Sequence, residues 1–248
     1  MLTRLAMALG LMLALPAAAA DYAALPGGRF ASVLPADGKA APAQVAPFRL
    51  RTEPVTNAEF LAFVKTHPEW RRDRVASILA DARYLSHWAA PATLGGEARP
   101  RQPVTRVSWF AAQAYCESEG ARLPTWYEWE YAAAADATRH DARSDPAWRE
   151  RLLAWYSRPS NAPLPDIGGA ANAYGVRDVT QPVWEWVDDF NALLVASDRP
   201  LGKPASTQEM ISGAGAAALA LGGAGVIARC LGTASISAMF VDHFRASG

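Results

Sequence analysis

Cysteine is scarce in this chain, which has only Cys116 and Cys230 among its 248 residues. Two cysteines exclude a scaffold that is built on several disulfides, and the sequence holds no Cys-x-x-Cys motif of a redox centre. A single bridge would form in an oxidising compartment, but the sequence does not establish the pairing. One disulfide and two separate buried thiols therefore remain as alternatives.

Excess charge of one sign is also missing. The 24 basic and 24 acidic residues cancel, and no basic run occurs, so the sequence excludes nucleic acid as an expected partner. The four histidines lack the i, i+4 spacing and the nearby carboxylates of a zinc or non-haem iron site. For each of them, His67, His87, His140 and His243, we predict a surface or locally hydrogen-bonded imidazole.

The apolar run at the N-terminus is too short for a membrane span, which needs about 20 apolar residues. Arg4 is followed by apolar residues 5–15 and by four alanines at 17–20, the order found in secretory signal peptides. We therefore predict a signal peptide at 1–20, with an uncleaved anchor as the alternative. The mature chain, 21–248, is predicted to be one domain that is periplasmic or secreted and has no stable membrane span.

Capping residues predict three helices. The signals are the capping boxes Thr56-x-x-Glu59 and Thr125-x-x-Glu128, and Ser108 before a helix that ends at Gly120. Glu128 is therefore predicted to be a structural residue. We also predict strands at Phe48–Arg51 and 104–109, and a short helix within residues 74–84.

Two clusters of tryptophan and glutamate lie at residues 123–131 and 183–189. A tryptophan ring is large and apolar, yet its indole N–H needs an acceptor when the ring is buried. Such clusters predict an aromatic core with specific polar contacts.

Four sequence blocks then occur in order. They are EPVTNAEF at 53–60, QPVTRVSW at 102–109, RLPTWYEWEYAA at 122–133 and NAYGVRDVTQPVWEW at 172–186. In this order the chain resembles the formylglycine-generating enzyme family, whose domain is also called the sulfatase-modifying factor domain. The resemblance implies an α+β fold, irregular and C-type-lectin-like, with a core of buried aromatic residues.

The resemblance also implies a structural calcium site. Carried over by position, its ligands are Asp178, the carbonyl groups of Gln181 and Val183, and Glu185, an all-oxygen set that suits a hard cation. Pro182 departs from the family pattern and fixes φ in this stretch. The alternative is that Glu185 accepts bonds from backbone amides and Asp178 caps a turn.

Active members of the family bind copper through two cysteine thiolates near the C-terminus, by the same resemblance. Cys116 falls in a helix of the core, which leaves Cys230 as the one candidate there. We therefore expect no copper, and we predict that Cys230 is a small buried apolar residue.

The C-terminal part is atypical from about residue 205. A Gly/Ala-rich run fills 212–225, and His243-Phe244-Arg245 is similar to the Gly-Phe-Arg with which the family ends. A diverged binding surface, loss of the catalytic half and a disrupted reading frame remain as explanations.

Residues 181–191 and 212–216 are most similar to the branch of the family that accompanies nitrite reductases. The predicted function is an exported, non-catalytic accessory or maturation factor for a periplasmic enzyme, with an exported protein or peptide as partner. The alternatives are an oxidoreductase that converts a substrate cysteine to formylglycine, and a lectin-like calcium-dependent binding module.

Overall fold

A computed structural model describes residues 20–32, 42–156, 163–180, 183–189, 226–227 and 229–232. These ranges form a mixture of short strands and helices, which confirms the α+β prediction at that level. The strands are β1 (Tyr22–Leu25), β2 (Gly28–Phe30), β3 (Ala43–Val45), β4 (Phe48–Arg51), β5 (Ala121–Arg122), β6 (Trp184–Glu185), β7 (Val226–Ile227) and β8 (Leu231–Gly232). The helices are α1 (Asn57–Thr66), α2 (Trp109–Ser118), α3 (Trp126–Ala133) and α4 (Pro146–Tyr156), with a 3₁₀ turn at Pro68–Trp70.

The largest sheet has four strands in the order β1-β4-β8-β5. Strand β4 confirms the strand predicted at Phe48–Arg51, and its buried Phe48 and Leu50 flank the exposed Arg49, as the alternation of a pleated strand requires. Strand β8 pairs antiparallel with β4 on one side and with β5 on the other. A C-terminal segment therefore lies inside the sheet, between strands from the first half of the chain.

The three predicted helices are confirmed, together with their caps. Thr56 and Thr125 each accept from the backbone N–H of the glutamate three residues on, and each glutamate bonds back to the cap. Ser108 accepts from Ala111 N at the start of α2. Gly120 follows the end of α2 with φ at 68°, a left-handed conformation that glycine adopts without strain.

The strand predicted at 104–109 does not form. Val104 N donates to Val55 O at 2.9 Å, and Pro103 makes an isolated antiparallel bridge with Thr56. Arg106 then has φ at 54°, which lies in the left-handed region and interrupts an extended run. The prediction failed because a locally extended stretch was not distinguished from a paired strand.

The short helix predicted within 74–84 is also wrong, since this stretch forms turns. Its neighbours hold it through polar contacts: Arg72 Nη1 donates to the carbonyl groups of Leu85 and Trp88, and Tyr84 donates to Trp70 O. Helix α4 was not predicted. Its first turn is stabilised by Asp145, whose carboxylate accepts from Ala147 N at 2.9 Å.

The core has two parts. One packs α1 and α2 against the stretch that contains Trp88, and here Phe60 stacks on Tyr115 and meets Trp88 edge to face. The other packs strands β1 to β4 and β8 against α3, where Tyr131 meets Phe30 and Phe48 edge to face. The aromatic core expected from the tryptophan and glutamate clusters is therefore present.

No described helix combines the length and the apolar character that crossing a membrane requires. The predicted signal peptide and most of the atypical tail lie outside the described residues.

Candidate functional site

The second tryptophan–glutamate cluster is organised around the carboxylate of Glu185 on β6. Parallel pairing of β6 with β7 sets Glu185 opposite Ile227, and the chain then enters the core at Arg229. Arg229 Nε and Nη2 donate to Glu185 at 2.9 to 3.1 Å, and both side chains are 0% exposed. Glu185 Oε2 also accepts a hydrogen bond from Trp129 Nε1 at 2.8 Å.

The guanidinium of Arg229 uses its whole set of five donors. Besides Glu185 it donates to the carbonyl groups of Arg51 and Thr52, both at 3.1 Å, and of Arg177 at 2.9 Å. A buried arginine is costly unless each N–H finds an acceptor. Each N–H of Arg229 has an acceptor. The side chain therefore connects the end of strand β4, the backbone at Arg177 and the Trp-Glu-Trp segment 184–186.

Asp178 accepts from two backbone amides. Gly168 N lies 2.8 Å from Asp178 Oδ2, and Gly169 N contacts both carboxylate oxygens at 3.2 to 3.3 Å. A Cβ at Gly169 would lie 2.5 Å from Asp178 Oδ1, so this contact requires glycine. The alternative interpretation, in which Asp178 fastens a turn, matches these contacts.

The calcium prediction concerns Asp178, Gln181, Val183 and Glu185. Glu185 takes its hydrogen bonds from the side chains of Arg229 and Trp129 and not from backbone amides, which corrects that part of the alternative interpretation. Val183 is half-buried, and Gln181 lies outside the described residues. Calcium at these four positions stays a prediction.

Two indole N–H groups, one from this cluster and one from α2, connect the cluster to the start of α2. Trp186 Nε1 donates to Val107 O at 3.0 Å, and Trp109 Nε1 donates to Val187 O at 2.9 Å. On the other side Trp129 stacks on Trp126, with ring centroids 5.5 Å apart. These contacts explain why the motifs at 102–109 and 172–186 each need tryptophan, although the bonded residues are 78 and 79 positions apart.

Cys116 and Cys230 form a disulfide with Cα atoms 5.3 Å apart, within the range that a disulfide spans. The bridge resolves the two alternatives left by the sequence and corrects the prediction that Cys230 is a small apolar residue. Both sulfur atoms are fully buried with their residues. Since the chain has two cysteines, no free thiol remains.

The first tryptophan–glutamate cluster is a helix start. The Glu128 carboxylate accepts a hydrogen bond from Thr125 N. It also accepts from Arg122 Nη2 and Nη1, at 2.6 and 2.9 Å. Burial opposes its ionisation, but the hydrogen bonds from Arg122 and Thr125 outweigh burial and hold the pKa of Glu128 below its usual value. The structural role predicted for Glu128 is therefore supported.

Glu128→Gln is expected to lower the free energy of unfolding by about 1 to 2 kcal/mol at neutral pH, because the charge that Arg122 pairs with is lost, whereas glutamine can still accept from Thr125 N. The melting temperature should fall by about 2 to 8 °C. Because the pKa of Glu128 is depressed on folding, this contribution is present above its unfolded pKa and is lost as the pH falls below it.

Glu117→Gln is the matched control, since Glu117 is exposed on α2 and contacts Gln113. Thermal melts of both variants test the assignment. Equal melting temperatures for the two would contradict a structural role of Glu128.

His87 departs from the prediction for histidines. Both ring nitrogens are buried and have no hydrogen-bond partner within the described ranges. Burial, followed by the positive charges of Arg106 and Arg72, lowers the pKa of His87 to about 4. His67 is locally hydrogen-bonded and His140 stacks on Tyr174 at the surface, as predicted. His243 lies outside the described residues.

Acidification is therefore expected to destabilise the fold through His87. The folded pKa is below the unfolded value of about 6.5, so the unfolded state binds the proton first and stability falls as the pH drops from 6.5 towards 4. After a discount for partial solvent screening the loss is about 1 to 2 kcal/mol. Urea unfolding at both pH values should show a smaller loss in His87→Leu than in the wild type or in His140→Leu, and an equal loss in all three would refute this role.

Sequence reasoning missed two buried polar residues, Arg229 in this region and Asn57 at the start of α1. Arg229 was not singled out, although it directly precedes Cys230, while the arginine that was compared with the family terminus, Arg245, lies outside the described residues. Asn57 was quoted only as part of a motif. An isolated arginine beside a cysteine in an otherwise uncharged Gly/Ala-rich stretch was the available signal for the first.

Comparisons with known proteins now identify the family. The family model described as "Sulfatase-modifying factor enzyme 1-like domain" matches residues 13–226. The chain is 31% identical to the formylglycine-generating enzyme of Streptomyces coelicolor, over 73% of this chain and 72% of that protein. It is 30% identical to hercynine oxygenase of Mycolicibacterium smegmatis, over 69% of this chain but only 46% of that protein.

A third relative is the inactive C-alpha-formylglycine-generating enzyme 2 of Mus musculus, with 31% identity over 65% of this chain and 66% of that protein. The relatives thus include proteins named as enzymes and a protein named as inactive. The motifs at 53–60, 102–109, 122–133 and 172–186 lie within the matched range. The chain belongs to the sulfatase-modifying factor enzyme 1-like domain family.

Proposed function

We propose that this chain is a non-catalytic accessory or maturation factor within that family. The observation that carries the proposal is the Cys116–Cys230 disulfide. Copper-dependent oxidation, as the family resemblance describes it, needs two thiolates, and a disulfide sulfur is not a thiolate ligand.

The proposal includes export. A disulfide that persists is typical of oxidising compartments, and the N-terminal residues 1–20 have the order of a signal peptide. Both observations support a periplasmic or secreted protein whose partner is an exported protein or peptide. The proposal extends to a C-type-lectin-like architecture and to the branch that accompanies nitrite reductases, for which residues 181–191 are the support.

A peptide assay tests the absence of catalysis. The purified mature chain, with copper supplied, is incubated with a peptide that contains Cys-x-Pro-x-Arg, and the product mass is measured. We expect no conversion of the cysteine to an aldehyde, with and without a thiol reductant, while the Streptomyces coelicolor enzyme serves as the positive control. Conversion under either condition would overturn the proposal.

A maturation assay tests the accessory role. Co-expression with an exported nitrite reductase should increase the yield of active reductase relative to an empty vector. A disulfide-free variant, Cys116→Ala with Cys230→Ala, is expected to give less of this increase because its fold is weaker. Unchanged reductase yield with the wild-type chain would count against this branch of the family.

The second candidate is an oxidoreductase that converts a substrate cysteine to formylglycine. The similarity to the Streptomyces coelicolor enzyme, at 31% identity over 73% of this chain, favours it. The peptide assay separates the two candidates, because only the oxidoreductase consumes the peptide thiol.

A further inference from the structure

The Glu185 carboxylate is saturated by donors from the chain itself. Oε1 accepts from Arg229 Nε at 3.1 Å and from Nη2 at 2.9 Å, and Oε2 accepts from Arg229 Nε at 2.9 Å and from Trp129 at 2.8 Å. A bidentate arginine is among the strongest partners a carboxylate can have. Little capacity is left for a further ligand at this carboxylate.

The acceptors around Arg229 are the kind that a hard cation takes. Three backbone carbonyl groups, of Arg51, Thr52 and Arg177, join the Glu185 carboxylate around a single positive group. Calcium prefers such a mixture of carboxylate and carbonyl oxygens. Here the same types of oxygen point at guanidinium nitrogens, at hydrogen-bonding distances.

One strand pairing and one disulfide hold the backbone on either side of Arg229. Pairing of β6 with β7 aligns Glu185 with Ile227, two residues before Arg229. The next residue, Cys230, is bonded to Cys116 on α2. The backbone on either side of Arg229 is thus held in place, which keeps the arginine side chain within reach of Glu185.

A divalent ion at Glu185 would meet a full positive charge within the same fully buried site. Like charges repel strongly at low effective dielectric constant, and the side chains of Glu185 and Arg229 are both 0% exposed. We infer that the guanidinium of Arg229 is the resident cation of the Trp-Glu-Trp segment and that it neutralises Glu185 in place of a metal ion.

Metal analysis of the wild-type chain is the first test. After purification in calcium-containing buffer and desalting, mass spectrometry should find far less than one equivalent of calcium per chain. Millimolar calcium and excess chelator should give the same melting temperature, since an ion that binds only the folded state would raise it. One equivalent of calcium that raises the melting temperature and is lost in Glu185→Gln would overturn the inference.

Variants provide the second test. Arg229→Gln is expected to lower the melting temperature by about 6 to 20 °C, because it leaves a buried carboxylate without its counter-charge. Arg229→Lys should recover only part of this loss, since a single ammonium group cannot donate to all five oxygen atoms that the guanidinium reaches. Arg74→Gln, at an exposed arginine, is the matched control and should melt like the wild type.

The double variant separates a direct pair from general damage. If Glu185 and Arg229 neutralise each other, the loss in Arg229→Gln with Glu185→Gln is smaller than the sum of the two single losses. Additive losses would overturn the pairing. If Arg229→Gln does not fold, the metal analysis of the wild-type chain still decides between arginine and calcium.

Discussion

Replacing both Cys116 and Cys230 with alanine is expected to lower the free energy of unfolding by about 2 to 5 kcal/mol, the usual range for removal of a native disulfide. The bridge closes a separation of 114 residues, and in the chain-entropy account a loop of about 100 residues is near the upper end of the effect. The melting temperature should fall by about 4 to 20 °C.

A reductant supplies the control for this experiment. The wild-type chain should lose a similar amount of stability when the disulfide is reduced, whereas the double variant should not respond to the reductant. Thermal melts with and without reductant, together with a thiol assay on the unfolded chain, measure both effects. A wild-type chain with two titratable thiols after unfolding in the absence of reductant would contradict the bridge.

The second large effect is expected at Asn57, the first residue of α1. Its side chain is buried and makes three hydrogen bonds: Nδ2 donates to the carbonyl groups of Arg99 and Gln102, and Oδ1 accepts from Trp88 Nε1 at 3.0 Å. Asn57→Ala leaves the buried indole N–H without an acceptor, and unsatisfied buried groups cost about 1 to 3 kcal/mol each. We expect a loss of about 2 to 4 kcal/mol in urea unfolding.

Two further variants sharpen the test at Asn57. Asn57→Asp keeps the acceptor for Trp88 but turns a negative oxygen towards two carbonyl groups, so it should be at least as destabilising as Asn57→Ala at neutral pH. Gln113→Ala removes an amide whose bond to Glu117 lies on the exposed surface and should change stability by about 0.5 kcal/mol or less. A similar loss for Asn57→Ala and Gln113→Ala would show that Asn57 does not hold Trp88.

Local signals in the sequence predicted helices α1, α2 and α3 because helix starts are local. Thr56, Ser108 and Thr125 each satisfy a backbone N–H within three residues, and such contacts depend on little else. The same holds for the first three residues of strand β4, Phe48, Arg49 and Leu50, whose alternation of buried and exposed side chains is visible in the sequence, whereas Arg51 is buried.

Contacts between distant residues were not predictable in this way. The disulfide joins residues 114 positions apart, and Arg229 reaches Arg51 across 178. In neither pair does the sequence around one residue indicate which residue it contacts. The failure at 104–109 is of the same type, because whether an extended stretch becomes a strand depends on a partner strand that the sequence does not name.

The place of β8 within the four-stranded sheet has a consequence for how the chain folds. Within the part of the chain that the structure describes, strands β4 and β5 do not pair with each other, and residues 231–232 lie between them. The sheet is therefore incomplete until residues 231–232 have docked between these two strands. Pairings between residues far apart in the sequence slow folding, so β4 and β5 are expected to come together in one sheet only late in folding.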